Sequence, residues 1–269
     1  MTPLLPAFTG SPQVNTVYNV DALTLLRALP SASVDLILTD PPYGVHEMAW
    51  DTAPDLAPMF AEMNRVIHPL GAIVMTAQQP FATDCINANR KHFKYETIWH
   101  KTRPGDIFNA KNKPLRAHEN ILVFSKGVTA NGDQNAANRM RYYPQGTTKT
   151  KVKHRQTGGH HITPRPSWKR EFEADAVDYP QSVITFQNHI NERLHVNQKP
   201  IALFEYLVMT YTLPNMLVVD PYGGSGTGAE SARNLGRNYI TCDISAEYCD
   251  LMRRRLAQPF TPMFAELAG

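Results

Sequence analysis

The chain has 269 residues, of which 42% are hydrophobic and 19% are charged, and its formal net charge is +3. This length suffices for one large core with a smaller lobe, and the composition is ordinary for a soluble globular protein. No apolar stretch approaches the roughly 20 residues of a membrane span, so we expect neither a membrane segment nor a signal peptide. The cysteines lack C-x-x-C spacing, which predicts no disulfide framework, no metal site and a reducing, cytoplasmic location.

The first third of the chain alternates predicted strands and helices, according to the spacing of its apolar residues. Asp21 is placed to cap the first helix, and a proline follows that helix. The predicted strands are residues 15–20, 34–39, 72–76, 95–101 and 120–125. The predicted helices are residues 22–29 and 54–67. The last two strands are expected to pair at an edge of the sheet, joined by a polar loop over residues 103–119.

Regular patterning breaks after about residue 126, although residues 182–186 favour a short strand. Ten basic residues and one acid lie between Lys126 and Arg170, whereas the rest of the chain is net acidic. A solvated polar loop would explain this composition, but contact with phosphates explains the charge better. We therefore predict a basic inserted region at 127–194 between two halves of one domain, 1–126 and 195–269. The candidate phosphate contacts are Lys149, Lys151, Lys153, Arg155, Lys169 and Arg170.

Alternating strands and helices resume in the last third, where Pro200 is a good first residue for a helix. Strands are predicted at 216–220 and 238–243, and helices at 201–211, from the glycine-rich turn to near 236, and at 246–256. This pattern is typical of an open, mostly parallel α/β sheet with helices on both faces, as in Rossmann-like folds. Such sheets bind ligands beyond the carboxyl ends of their strands, where Asp40, Asp220 and Asp243 are all predicted to lie.

A glycine-rich turn follows the strand that ends at Asp220. It is neither a clean G-x-G-x-x-G fingerprint nor a phosphate-binding loop, and a simple tight turn is the structural alternative. Asp243 lies twenty residues after Gly223, where an acid can accept hydrogen bonds from ribose hydroxyls. S-adenosylmethionine fits this element better than a nicotinamide dinucleotide, because its amino-acid end has no phosphates. The candidate cofactor residues are Asp220, Tyr222, Gly223, Gly224, Ser225, Gly226, Thr227 and Asp243.

The tetrapeptide Asp40-Pro41-Pro42-Tyr43 directly follows the second predicted strand. It offers a carboxylate, a stiff turn and an aromatic ring, although a plain turn after a strand would look similar. The amine of adenine or cytosine is a poor nucleophile, because its lone pair is conjugated with the ring. Asp40 and the Pro41 carbonyl can accept its N–H groups, and Tyr43 can stack on a base extruded from a duplex. These four residues, Pro42 included, are the candidate catalytic residues.

This order of motifs resembles the beta group of DNA amino-methyltransferases. Besides the tetrapeptide, the resemblance is carried by His195–Pro200 and Asp220–Thr227, and it covers roughly residues 15–255 outside the basic region. Val196 replaces a usual proline, Tyr222 a phenylalanine and Asp243 a glutamate. The resemblance implies a seven-stranded methyltransferase sheet with one reversed strand. It also implies that the basic region recognises the target in double-stranded DNA.

The resemblance further implies that Asp21, Asp40 and Lys199 help to hold S-adenosylmethionine. Asp at position 40 points to the N6 amine of adenine, because relatives that act on the N4 amine of cytosine more often carry serine there. Cytosine N4 remains the alternative target. A second alternative is a DNA-binding protein on this fold that no longer catalyses, and a third is methylation of RNA or protein. A homodimer and a cognate restriction endonuclease on another chain are possible partners.

Overall fold

The computed structural model describes residues 10–44, 52–130, 133–155, 171–188 and 198–259, with the backbone alone at 133–135, 151–155 and 171–175. The strands are β1 Thr16–Tyr18, β2 Val34–Thr39, β3 Ile67–Ala77, β4 Phe93–Gly105, β5 Arg116–Phe124, β6 Thr148–Arg155, β7 Glu171–Val177, β8 Val183–Phe186, β9 Leu217–Asp220 and β10 Asn238–Cys242. The α-helices are α1 Ala22–Ala28, α2 Leu56–Val66, α3 Phe81–Ala88, α4 Ile201–Tyr211, α5 Thr227–Asn234 and α6 Ala246–Leu256.

Eight of these strands form one sheet in the order β1-β10-β9-β2-β3-β5-β4-β8. Within the described sheet, β5 runs antiparallel to both of its neighbours and every other neighbouring pair is parallel. The mostly parallel, Rossmann-like sheet with one reversed strand is therefore confirmed. The predicted number of seven strands is one too few, because β8 pairs in parallel with β4 and covers the edge that β4 would otherwise leave open.

Helices cover both faces of the sheet, because the central strands are apolar on both sides. Along β2, Ile37 packs into a core beneath α1, α2 and α3, while Leu36 and Leu38 pack into a second core beneath α4 and α5. Helix α6 packs against β1, where Met252 and Cys249 meet Val17. None of the described helices is long and apolar enough to cross a membrane.

Strands β2 and β9 are parallel neighbours, and the chain leaves them in opposite directions. From β2 it continues to β3 on one side, and from β9 it continues to β10 on the other. Ligands of open α/β sheets bind beyond the carboxyl ends of strands at such a switch point. A buried hydrogen bond joins the ends of β2 and β9 at this point, since the Thr39 hydroxyl donates to Asp220 Oδ1 over 2.9 Å.

The described residues divide into two compact units. Residues Pro144–Gln181 form the smaller one, which contains the antiparallel pair β6 and β7. Residues 127–143 and 182–188 belong instead to the unit that contains the large sheet, where Met140 is buried in the second core. The functional boundaries predicted at 127 and 194 stay predictions.

Two differences from the predicted elements have local causes. The loop expected over 103–119 is short, because β4 continues to Gly105 and β5 already begins at Arg116. These strand ends were hidden by their polar side chains, which lie at the exposed end of the hairpin. Sequence reasoning also missed α3, whose Phe81, Ala82 and Cys85 are buried against the first core.

Candidate active site

A cleft of about 1030 Å³ opens at the carboxyl ends of the central strands. It brings together residues that lie far apart in the sequence and were predicted separately to bind a base or a cofactor. The predicted residues that line it are Asp21, Asp40, Pro41, Pro42, Tyr43, Lys199, Tyr222, Gly224 and Asp243.

Asp40 lies directly after β2 and is held by three side chains. Its Oδ1 accepts hydrogen bonds from the hydroxyls of Tyr43, at 2.6 Å, and of Thr76. Its Oδ2 forms an ion pair with Lys199 Nζ at 2.8 Å. A carboxylate offers about four acceptor positions, so Asp40 keeps capacity for one further donor. Thr76 was missed in the sequence, although it is the last residue but one of β3, the apolar strand that lies beside β2.

Tyr43 is held at both ends of its side chain. Its hydroxyl lies 3.0 Å from Thr76 Oγ1, and its ring stacks on Phe81 with 5.6 Å between centroids. Burial, together with the negative charges of Asp40 and Glu119, raises the pKa of Tyr43 well above its ordinary value. The hydroxyl therefore stays protonated and donates to Asp40. The stacking of this ring on a base stays a prediction.

Lys199 belongs to a buried chain of charges that the sequence did not reveal. Besides Asp40, its ammonium reaches Glu119 Oε2 at 3.3 Å, and the other oxygen of Glu119 pairs with Lys101. Burial alone lowers the pKa of Lys199, but the carboxylates of Asp40 and Glu119 outweigh it and raise that pKa. Burial likewise acts to raise the pKa of Glu119, and the two lysines reverse this and lower it. Lys199 and Glu119 are therefore charged at neutral pH.

Sequence reasoning assigned Lys199 to the cofactor, whereas its observed partners are Asp40 and Glu119. The residue does line the cleft, so the cofactor role stays a prediction. Glu119 was missed because it falls where a loop was expected, and Lys101 was missed although it ends the predicted strand 95–101. The signal was a lone acid directly before the apolar run of residues 120–125.

The glycine-rich turn after β9 needs glycine for two different reasons. Gly224 has a φ of +51° and lines the cleft, and a Cβ there would meet no atom within 4 Å. Gly223 and Gly226 instead lack space, since a Cβ on either would press against Met252. The turn is thus packed from behind and open towards the cleft at Gly224, which lets a ligand approach the backbone.

Asp243 and Asp21 lie at helix or turn ends that border the cleft. Asp243 Oδ2 accepts the backbone N–H of Gly224 at 3.0 Å, and Oδ1 accepts that of Ser245 at 2.8 Å. Asp21 caps α1 by accepting the N–H of Thr24 at 2.9 Å. Each carboxylate oxygen retains acceptor capacity for a ligand hydroxyl or amine.

Asp220 is buried behind the cleft and acts on the turn. Its Oδ1 accepts the backbone N–H of Tyr222 at 3.1 Å as well as the Thr39 hydroxyl. Burial, helped by the charges of Asp40 and Asp243, raises the pKa of Asp220 to about 7, against the opposing effect of these hydrogen bonds. This residue joins the two halves of the site, and its direct contact with the cofactor stays a prediction.

The remaining candidates lie outside the cleft lining. The hydroxyls of Ser225 and Thr227 are 3.4 Å apart and buried, and Arg255 donates to the Ser225 carbonyl at 2.8 Å. Lys149 lies on β6 of the smaller unit, opposite Ala176. The other predicted phosphate contacts lie outside the described residues or have undescribed side chains, and they are Lys151, Lys153, Arg155, Lys169 and Arg170.

Known proteins resemble this chain in sequence and in fold. The family model described as DNA methylase, of the N6/N4 type, matches residues 34–254. The DNA adenine methyltransferase YhdJ of Escherichia coli K12 is 29% identical over 262 residues, covering 91% of this chain and 83% of YhdJ.

Two solved structures share the fold. The cytosine-N4-specific PvuII DNA methyltransferase has a TM-score of 0.64 at 17% identity, covering 92% of this chain and 88% of the other. M1.HpyAVI, solved as a complex with S-adenosylmethionine, has a TM-score of 0.56 at 21% identity, covering 89% of this chain and 98% of the other.

The chain belongs to the N6/N4 DNA methylase family and is a DNA methyltransferase. S-adenosylmethionine, the methyl donor of this family, is its cofactor, as the resemblance implies. The site fits that molecule, because the cleft is open in front of Gly224 and carries acidic acceptors at Asp243 and Asp21. The residues that would hold S-adenosylmethionine are Asp21, Tyr222, Gly224 and Asp243.

The raised pKa of Asp220 predicts a pH-dependent stability. A carboxyl with a higher pKa in the folded chain stabilises the fold fully below about pH 4 and loses this contribution as the pH rises through 7. Between pH 5 and pH 8 the free energy of unfolding of the wild type should fall by about 3 kcal/mol relative to that of Asp220→Asn, because the asparagine side chain does not titrate. Urea unfolding at several pH values measures the difference. The control Asp250→Asn keeps Asp220, so its free energy of unfolding should change with pH in parallel with that of the wild type. Parallel curves for the wild type and Asp220→Asn would refute the prediction.

The buried charges predict strong coupling between Glu119 and Lys199. Lys199→Met should lower the free energy of unfolding by about 3 kcal/mol, because it leaves buried carboxylates short of a cation. The loss of unfolding free energy in the double variant Lys199→Met/Glu119→Gln should differ from the sum of the losses in the two single variants by about 0.5–3 kcal/mol. Urea unfolding of the four chains completes the cycle. The exposed pair Arg253–Asp250 is the control, with coupling expected below about 1 kcal/mol, and a buried pair that proved additive would contradict the assignment.

Proposed function

We propose that this chain transfers a methyl group from S-adenosylmethionine to the N6 amine of an adenine extruded from duplex DNA. The observation that carries the proposal is that Asp40, Gly224 and Asp243 line one cleft. The proposed base acceptor and the proposed cofactor turn thus share one cleft. The similarity to an adenine methyltransferase at 29% identity supports adenine, as does aspartate at position 40.

The chemical task of the chain is to make the amine nucleophilic. When bound, S-adenosylmethionine supplies an electrophilic methyl group on its sulfonium sulfur. The Asp40 carboxylate and the Pro41 carbonyl accept hydrogen bonds from the two N–H groups of the amine. Its lone pair then leaves conjugation with the ring and would form the new nitrogen–carbon bond. The bond between the methyl group and sulfur would break, and its electron pair would stay on sulfur, which becomes a neutral thioether. Asp40 can also receive the proton that the nitrogen gives up.

Buried neighbours keep Asp40 suited to this task. The ion pair with Lys199 Nζ, at 2.8 Å, holds Oδ2 in place. The hydroxyls of Tyr43 and Thr76 fix the orientation of Oδ1. A preorganised acceptor needs little rearrangement when the amine arrives, which is how polar sites favour a charged transition state.

The basic segment is proposed to hold the DNA backbone. This part of the proposal depends on the local excess of Lys and Arg and on the general tendency of such segments to bind phosphates. A homodimer and a partner nuclease remain compatible with the proposed function. Neither is needed for the chemistry at Asp40.

The proposed reaction predicts N6-methyladenine in DNA from cells that express the chain and lack other methyltransferases. Sequencing that distinguishes modified bases identifies both the methylated base and the DNA recognition sequence. Asp40→Ala should abolish the modification while S-adenosylmethionine still binds in a calorimetric titration, because the cofactor turn is intact. The exposed control Asp250→Ala should methylate normally. If the modified base is N4-methylcytosine, the target is cytosine and not adenine. Near-normal turnover of Asp40→Ala would refute the mechanism. A wild type that binds no S-adenosylmethionine would favour the inactive DNA-binding alternative.

The proposed DNA interface predicts a change in salt dependence. Replacing Lys149, Lys151, Lys153 and Arg155 by alanine should weaken DNA binding and reduce the slope of log K against log salt by about 1 for each phosphate that is no longer neutralised. Fluorescence anisotropy at several salt concentrations measures the slope. A matched control removes four exposed cations elsewhere, Arg90, Lys91, Arg253 and Arg254. Equal slopes for the test variant and the wild type would show that these four residues do not contact DNA phosphates.

A further inference from the structure

The hairpin of β4 and β5 ends in two adjacent apolar side chains that are exposed. Phe108 is fully exposed and Ile107 is 70% exposed. A large aromatic ring in water loses the stabilisation that burial would bring, and two such residues at one projecting turn form an apolar tip. We call residues Asp106–Lys113 the hairpin tip.

Hydrogen bonds within the hairpin tip hold these side chains outward. Asp106 has a φ of +70°, and its carboxylate accepts the side-chain amide of Asn109 at 2.6 Å and pairs with Lys113 at 2.7 Å. The backbone N–H of Ala110 also donates to the carbonyl of Ile107 at 3.1 Å. Because the turn is already ordered, the insertion of Phe108 into a partner would lose less conformational entropy than the insertion of a flexible loop.

The hairpin tip borders the cleft that contains Asp40. Ile107 lines this cleft, together with Arg103 and Gly105. Residues 101–118 carry five Lys or Arg residues and one acid. An apolar wedge with a basic surround suits a polyanion that has an apolar interior, which is the chemistry of a stacked nucleic-acid duplex.

We propose that the hairpin tip inserts Phe108 into the base stack of duplex DNA, into the space that the extruded target base leaves. The proposal rests on the proposed function, because it assumes a DNA substrate with an extruded base. Extrusion removes the stacking of one base, and an aromatic ring in the gap restores part of it. Ile107 then lies between the inserted ring and the cleft.

A second copy of this chain is a poorer occupant for the tip. In a two-fold symmetric dimer the same surface meets itself, so the basic residues of both hairpins would face each other. Like charges that face each other oppose association, whereas phosphates complement them. The charge of residues 101–118 therefore favours DNA.

The test compares the DNA affinity of the full-length chain with that of Phe108→Ala. The duplex carries the word identified by methylation sequencing, and anisotropy is measured at several salt concentrations. Phe108→Ala should weaken binding by about 5- to 150-fold, with no change in the salt slope, because it removes stacking and leaves every phosphate bound. Phe108→Trp should restore most of the affinity. Lys111→Ala should instead reduce the slope by about 1.

A second duplex places an abasic site opposite the target base. Extrusion is easier there because the target has no pairing partner, so Phe108→Ala should lose less affinity on this duplex than on the paired one. An equal loss on both duplexes would overturn the insertion. Leu213→Ala, an exposed apolar residue before β9, is the matched control and should bind both duplexes like the wild type.

The outcomes separate the two proposals. A wild type that methylates no DNA removes the proposed function and this inference with it. A wild type that methylates, with Phe108→Ala binding like Leu213→Ala, removes the inference alone. Light scattering tests whether the hairpin tip binds a second copy of this chain instead. If the wild type is a dimer and Phe108→Ala is a monomer, the tip serves self-association and the proposal is overturned. The exposed ring should leave the thermal unfolding midpoint unchanged, so a folding defect is not expected to obscure the result.

Discussion

One buried hydrogen bond, from the Thr39 hydroxyl to the Asp220 carboxylate, joins strands that lie 181 residues apart in the sequence. Asp40 follows the first of these residues, and the glycine-rich turn follows the second. The bond therefore sets where the tetrapeptide Asp40–Tyr43 lies relative to the glycine-rich turn. Because both strands are parallel neighbours at the switch point of the sheet, everything that leaves their carboxyl ends enters one cleft.

The same edge of the sheet concentrates charge. Asp40, Lys199, Glu119 and Lys101 alternate in sign through successive contacts, so each buried charge has an opposite neighbour. Such a chain is costly to desolvate, and its members hold one another in fixed positions at this edge. Asp220 differs from these groups, because its hydrogen bonds do not offset its burial and its pKa rises to about 7. Its place behind the cleft suits a residue that organises the turn through hydrogen bonds.

The frame and the parts that would meet DNA are built differently. The tetrapeptide Asp40–Tyr43 and the glycine-rich turn are short segments directly after strands that are packed into the core. The hairpin tip instead exposes Phe108, and residues 144–181 form a compact unit of their own. One sheet can thus support methylation of different bases, as adenine- and cytosine-specific proteins that resemble this chain illustrate.

The sequence by itself determined the alternation of strands and helices, the tetrapeptide after β2 and the glycine-rich turn after β9, because apolar periodicity and turn chemistry are local properties. Only the tertiary structure decided that β8 joins the large sheet, that Lys199 pairs with Asp40, and that Glu119 lies between two lysines. Those contacts depend on which strands are neighbours and on how little water reaches them. Neither property is written in any single stretch of the chain.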